Sequence, residues 1–354
     1  MNMPRPKYSY TYAPNQKVRR RKGGGGFSIP KQAMFALPVA LVLVVVLMSR
    51  VLGGGGTSEL PEVIACPGGE GCPVALSASQ TPSPAEPTPT PAGAQGVPDV
   101  PAILGTSAAV IEQPCGVLLY EVNGTLTLPP ASLTKIVTAL VAVDWTDLSE
   151  VVTVEIDGPA LSLETDSTVM GIEPGDELSM GDLLYGLLLR SGNDVALEIA
   201  RHIAGGEDEF VELMNDKLAE LGLVDSKFTN PHGLDDFALY SSAIDMTRLG
   251  AELLANPDLA EIVATSEYQP AWDGPALVNL NLLLNNYAGA IGVKTGFTEL
   301  ADQTIVAAAE RDGRRIIVSV FGTTEMYVDA AALLDWGFAQ DSVCSDSGSA
   351  AAAR

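Results

Sequence analysis

Three short motifs with nucleophilic and cationic side chains occur in order along the chain. They are SLTK at residues 132–135, SGN at residues 191–193 and KTG at residues 294–296. An S-x-x-K pattern is expected about once by chance in a chain of this size, whereas K-T-G is expected about once in several thousand positions. The ordered set is therefore the informative signal, and it predicts acyl-transfer chemistry on a serine.

The first motif pairs a serine with a lysine at helical spacing. A serine hydroxyl needs a neighbouring base to take its proton, and a side chain three residues further along a helix lies over the same face. Lys135 is therefore the predicted base for Ser132, the predicted nucleophile. A free lysine has a pKa of about 10.4, so a neutral Lys135 needs burial and a nearby positive charge, such as that of Lys294, to lower its pKa. The alternative is an amphipathic helix with Ser132 as N-cap and a solvated lysine.

The second motif offers a hydroxyl and an amide. We expect Ser191 to relay a proton between Lys135 and the leaving nitrogen, and Asn193 to hydrogen-bond a substrate amide and fix the lysine. The alternative is a polar hinge between two helices, with Asn193 capping the second helix.

The third motif is predicted to bind substrate. A strand ending in Lys294 and Thr295 would lie beside an extended peptide and hold its terminal carboxylate. Gly296 and Phe297 continue this strand, and the backbone N–H groups of Phe297 and Ser132 would form an oxyanion hole. The alternative is a strand that runs into a glycine turn.

The motifs lie inside longer stretches that carry a family resemblance: residues 130–140, 187–200, 210–236, 240–250 and 292–298. Over about residues 108–338 the chain resembles the low-molecular-mass serine D-alanyl-D-alanine carboxypeptidases of the penicillin-binding protein superfamily, the S11-type peptidases. The S-x-x-K, S-D-N and K-T-G set is shared with class A β-lactamases. SGN in place of SDN favours the carboxypeptidases.

This resemblance implies a function. The enzyme would remove the terminal D-alanine from peptidoglycan stem peptides through an acyl-enzyme on Ser132, and β-lactams such as penicillin would acylate the same serine. It implies no cofactor. Because His202 and His232 are the only histidines in the chain, we also expect no metal site. After KTGFT, the residues LADQ at 300–303 depart from the usual family pattern. This departure bears on how the substrate fits against that strand.

Three other functional hypotheses remain open. The same fold would serve a β-lactamase, although no dedicated deacylating carboxylate is evident in the sequence. A catalytically silent wall-binding module is a second alternative. In a third, His232 would work with Asp235 or Asp236 in a Ser-His-Asp mechanism, although its neighbours spell a turn and favour a structural role.

The order of predicted elements indicates the fold class. Residues 108–113 and 116–122 read as a β-hairpin, several helices follow from SLTK to about residue 254, and strands return near residues 290–321 before a last helix at about 327–336. We predict an α/β (α+β) fold in which an antiparallel sheet, flanked by helices, joins a helical subdomain in the manner of β-lactamases and DD-peptidases.

The N-terminal part differs in composition from the rest. Residues 1–31 are basic without an acidic residue, and about 20 mostly apolar residues follow at 32–52, enough for one transmembrane helix. The positive charges place the N-terminus in the cytoplasm, so we expect a single-pass cell-membrane protein with an extracytoplasmic catalytic domain. A cleaved signal peptide is the alternative. The net charge of −24 excludes nucleic acid as a partner.

The remaining boundaries follow from composition. Residues 53–100 are rich in Gly, Pro, Ser and Thr and predict an extended linker, residues 101–340 a catalytic domain, and residues 341–354 a flexible tail. Cys66 and Cys72 flank a short loop and could pair outside the cytoplasm, whereas the sequence does not decide the state of Cys115 and Cys344.

Overall fold

The computed structural model describes residues 99–272 and 274–344, which belong to one compact unit. The predicted cytoplasmic tail, transmembrane anchor and nearly all of the linker lie outside the described residues, as do Cys66 and Cys72. Within the described ranges, no helix is both long and apolar enough to cross a bilayer.

The strands of the main sheet lie near both ends of the described chain, and most of the helices lie between them. The strands are β1 Ser107–Gln113, β2 Val117–Val122, β3 Val151–Thr153, β4 Glu177–Ser179, β5 Glu267–Tyr268, β6 Leu277–Val278, β7 Ala290–Thr298, β8 Asp302–Arg311 and β9 Arg314–Thr323. The helices are α1 Lys135–Trp145, α2 Gly158–Thr165, α3 Met180–Leu189, α4 Asn193–Ala204, α5 Glu207–Leu221, α6 Ala243–Ala255, α7 Pro257–Ala264, α8 Leu283–Asn286 and α9 Met326–Ala339. A 3-10 turn at Ala131–Thr134 precedes α1.

The first and last strands form one antiparallel sheet in the order β2-β1-β9-β8-β7. Successive residues of β8 and β9 point to opposite faces, so Ile305 and Ile316 pack with α9 while Val306 and Ile317 face the larger helical core. Because helices cover both faces, these strands are buried almost throughout. The predicted α+β fold with an antiparallel sheet is confirmed.

Helix α1 lies at the centre of the helical subdomain. Eight consecutive residues from its start are buried, so α1 is covered on all sides, and it contacts α3, α4, α5 and α6. Gly222, with a φ of 67°, ends α5 in the left-handed conformation that glycine adopts readily. The 3-10 turn before α1 contacts β7 and β8, which places it where the subdomain meets the sheet.

A disulfide joins Cys115, in the turn after β1, to Cys344 beyond α9. Next to it the buried Glu112 accepts hydrogen bonds from Arg314 (2.9 Å), from the Ser342 hydroxyl (2.6 Å) and from the Val343 N–H (3.1 Å). Residues 341–344, which the sequence placed in the C-terminal tail, are thereby tied to the domain.

Candidate active site

The turn that carries Ser132 has an unusual backbone. Ala131 has a φ of 50°, in the left-handed region that disfavours residues with a side chain, and such strain must be held by its surroundings. Two contacts hold it: the Thr304 hydroxyl donates to the Pro130 oxygen at 3.1 Å, and Gly233 lies so close to the Ala131 carbonyl that a side chain there would collide with it. The helix predicted to start at Ser132 therefore begins as a 3-10 turn, and no side chain caps it.

Lys135 lies under this turn and is fully buried. Its Nζ donates to Ser132 Oγ at 3.1 Å, to Asn193 Oδ1 at 2.6 Å and to the backbone oxygen of His232 at 2.5 Å. These three contacts fix the position of the Lys135 amine. The alternative of a solvated lysine with Ser132 as a helix cap is wrong.

The environment of Lys135 disfavours its charged form. Burial lowers the pKa of Lys135 well below its usual value, the charge of Lys294 lowers it further, and Asp194 opposes both. A lower pKa favours the neutral amine, and the neutral amine has a lone pair that can accept the proton of Ser132.

Ser191 and Asn193 lie at the break between α3 and α4. Ser191 has a φ of 66° and is almost fully buried. Asn193 is the first residue of α4, and its side chain makes no helix cap but accepts from Lys135. The Asn193 N–H donates to the Thr168 oxygen at 2.9 Å, so this break is also fixed to the segment before β4.

The third motif lies on β7, an edge strand to whose outer side no other strand is paired among the described residues. Lys294 is 1% exposed and donates to the Thr295 oxygen at 2.8 Å, and burial lowers the pKa of Lys294 to about 7. Gly296 lies against the nucleophile turn, where an added Cβ would be 3.0 Å from the Ser132 nitrogen and 2.5 Å from Thr304 Oγ1. Glycine at this position lets β7 approach Ser132 closely.

A cavity of about 470 Å³ opens above these residues. Its walls include Ser132, Ser191, Asn193 and Phe297, while Lys135, Lys294, Thr295 and Gly296 are buried around it. Asp235, which the sequence offered only for the Ser-His-Asp alternative, also lines the cavity. The sequence did not predict the other lining residues, Thr165, Asp166, Ser167, Thr168, Gly233, Leu234, Thr298 and Glu299. The structure thus brings all eight predicted site residues to one place and adds three short segments to it, at residues 165–168, 233–235 and 298–299.

The histidine alternative has no geometric support. The His232 ring accepts from the Leu234 N–H at 3.1 Å through Nδ1 and faces Glu207 at 3.5 Å through Nε2. Asp235 instead accepts from the Thr298 hydroxyl, and Asp236 from Thr229 and Ala238. His232 contributes to the site through its backbone oxygen, which the side chain gave no means to predict. Among the described residues, no group of three His, Cys, Asp or Glu side chains is arranged to hold a metal ion.

Comparison with known families decides the lineage. The sequence profile of the D-alanyl-D-alanine carboxypeptidase family, peptidase family S11, matches residues 94–325. The chain belongs to this family. Two of its similar relatives are D-alanyl-D-alanine carboxypeptidase DacF of Bacillus subtilis, 35% identical over 66% of this chain and 62% of the relative, and DacB2 of Mycobacterium tuberculosis, 38% identical over 70% and 86%. The match thus spans somewhat less than two thirds of the first relative.

Solved structures of this carboxypeptidase family and its neighbours share the fold. A D-alanyl-D-alanine carboxypeptidase from Mycobacterium tuberculosis superposes with a TM-score of 0.64 at 35% identity, covering 70% of this chain and 96% of that chain. A Streptomyces DD-transpeptidase superposes with a TM-score of 0.65 at 28% identity, covering 68% and 99%. The family resemblance predicted from the sequence is confirmed.

Proposed function

We propose that this chain is a serine-type D-Ala-D-Ala carboxypeptidase that removes the terminal D-alanine from peptidoglycan stem peptides. The observation that carries the proposal is the 3.1 Å contact between Ser132 Oγ and Lys135 Nζ, a buried amine beside a hydroxyl that faces a cavity. Family membership and the names of the curated relatives support the substrate class.

Binding and attack follow from this geometry. The peptide lies along β7, where Lys294 and the Thr295 hydroxyl hold its terminal carboxylate. Lys135, in its neutral form, takes the proton of Ser132 as Oγ attacks the carbonyl carbon between the two D-alanines. The backbone N–H groups of Ser132 and Phe297 stabilise the negative charge that develops on the carbonyl oxygen.

Breakdown of this intermediate needs a proton on the leaving nitrogen. Ser191 passes that proton from Lys135, while Asn193 holds the lysine and a substrate amide. D-alanine leaves, and water then hydrolyses the ester on Ser132.

Covalent labelling tests the nucleophile. A fluorescent penicillin should label the wild-type protein at Ser132, as mass spectrometry of the labelled peptide would show, and purified protein should release D-alanine from a peptide ending in D-Ala-D-Ala. Ser132→Ala should abolish both, and Ser149→Ala, a change at an exposed serine of a distant turn, should alter neither. Labelling that persists in the Ser132→Ala protein would refute the assignment.

The lifetime of the adduct separates this activity from the alternatives. A long-lived penicillin adduct is expected of a carboxypeptidase, whereas rapid turnover would identify a β-lactamase. Binding of stem peptide without release of D-alanine would identify a silent wall-binding module.

Membrane attachment is a separate part of the proposal. The basic residues 1–31 and the apolar residues 32–52 support a single N-terminal helix that holds the domain outside the cytoplasm. The full chain should fractionate with membranes, and a chain beginning at residue 99 should not. A full chain recovered without its first 52 residues would favour the cleaved signal peptide.

A further inference from the structure

The residue after the second motif, Asp194, has a fully buried carboxylate that accepts four backbone hydrogen bonds. Three come from one segment: Met170 at 2.8 Å, Gly171 at 2.7 Å and Ile172 at 3.2 Å. The fourth is from the N–H of Val195, in its own helix, at 2.9 Å. This one side chain therefore joins the start of α4 to residues 170–172.

The joined segment continues directly from one wall of the substrate cavity. Residues 165–168, which end one residue before it, line the cavity, and the Thr168 oxygen accepts from the Asn193 N–H. Two glycines make room for the carboxylate. A Cβ on Gly192 would lie 2.9 Å from Asp194 Oδ1, and a Cβ on Gly158, at the start of α2, would collide with Oδ2. The cavity wall, α2 and the catalytic break thus meet at Asp194.

We propose that Asp194 is a positioning residue for the acylation step, because it locks residues 170–172, which continue from the cavity wall at 165–168, to the break that carries Ser191 and Asn193. This inference rests on the proposed function. Without the carboxylate, three backbone N–H groups of the segment lose their acceptor, and the cavity wall and Asn193 are no longer held in one arrangement. Since Asn193 in turn fixes Lys135, a shift at this point changes the distance between base and nucleophile.

The carboxylate also acts on Lys135 through its charge. Four elements bring titratable groups towards Lys135: β7 brings Lys294, α4 brings Asp194, the loop between α5 and α6 brings His232, and the start of α5 brings the His232 partner Glu207. Asp194 raises the pKa of Lys135, whereas burial and Lys294 lower it. Loss of the Asp194 charge should therefore allow Lys135 to become neutral at lower pH.

Asp194→Asn tests both consequences. We expect the second-order rate of acylation by a fluorescent penicillin to fall roughly 10- to 100-fold at neutral pH. We also expect the acid limb of its pH profile to move to lower pH, and amide hydrogen exchange of residues 165–172 to become faster. The matched control is Asp329→Asn, because Asp329 is also a buried carboxylate that accepts from two backbone N–H groups, those of Leu104 and Gly105, away from the cavity. It should lower the melting temperature and leave the acid limb in place.

Gly158→Ala tests the geometric effect with the charge of Asp194 kept. It also provides a test of the inference if Asp194→Asn fails to fold. The added methyl group displaces Oδ2 while the charge remains, so acylation should slow and the exchange of residues 165–172 should increase with the acid limb unchanged. The inference is overturned if either variant is less stable but acylates at the wild-type rate. If the wild-type protein itself is not acylated, the proposed function fails instead.

Discussion

Two regions of this protein bury charged side chains but differ in how far neighbouring groups compensate the buried charge. At the catalytic junction, formed by Ser132, Lys135, Asn193 and Lys294, two amines are buried, burial lowers the pKa of both, and the charge of Lys294 lowers that of Lys135 further. At the C-terminal clamp, formed by Glu112, Arg314, residues 342–343 and the Cys115–Cys344 disulfide, a buried carboxylate is surrounded by donors.

The difference appears in the protonation states that each region favours. Burial alone would raise the pKa of Glu112, but the hydrogen bonds from Arg314, Ser342 and Val343 together with the arginine charge outweigh it and lower that pKa. Lys135 also has three hydrogen-bond partners, yet all three are neutral and a second cation lies nearby. A buried charge that is fully compensated stabilises the fold, whereas one that is only partly compensated, as Lys135 is by Asp194, can become a reactive base.

Removal of the base should give the largest effect. Lys135→Met should slow acylation by penicillin roughly 10²- to 10⁴-fold, the range expected for loss of a general base. The free energy of unfolding should change little, because relief from burying an amine offsets the lost hydrogen bonds to Asn193 and His232. Stopped-flow acylation and urea unfolding would measure the two quantities. A large loss of stability with unchanged acylation would show that Lys135 has a structural role, like that of Glu112, and is not the base.

The complementary change at the clamp should affect stability and leave chemistry intact. Glu112→Gln removes the charge that Arg314 faces and should lower the free energy of unfolding by about 2 kcal/mol, a value reduced because Arg314 is partly exposed. The folded-state pKa of Glu112 is below 4.5, so its stabilisation is present above pH 4.5 and is lost as the pH falls through that lower pKa. The variant should lose this slope in acid unfolding measured by circular dichroism. Slower acylation in the variant would contradict the separation of the two regions.

The smallest expected effect is a pH dependence within the catalytic junction. Turnover of a D-Ala-D-Ala peptide needs a neutral Lys135 and a protonated Lys294, whose pKa is lowered to about 7. The value of kcat/KM should therefore rise and then fall with pH, with apparent pKa values that belong to the lysine pair. Lys294→Arg should remove the alkaline limb, since a guanidinium group stays protonated. An alkaline limb that persists in this variant would show that Lys294 does not cause it.

Much of the candidate site could be predicted because its parts are local. The spacing of Ser132 and Lys135 puts both on one side of a short helical segment, and the strand that contains Lys294 is readable from its apolar pattern. The 3-10 turn at Ser132 was not predicted, because it depends on contacts from Thr304 and Gly233 that are distant in sequence.

Other features escaped prediction for the same reason. Asp194 resembles an ordinary acidic residue in the first turn of a helix, and only the folded chain shows residues 170–172 donating to it. The pairing of Cys115 with Cys344 spans 229 residues and has no local signal.

The sequence by itself determined the three motifs, the order of strands and helices, and the family resemblance, because periodicity and short-range spacing are properties of the chain. Tertiary structure alone decided which amines are buried away from solvent, which carboxylates accept hydrogen bonds and which loops enclose the cavity. Burial and charge compensation depend on distances between segments far apart in the chain, and these distances set the pKa values on which the proposed chemistry depends.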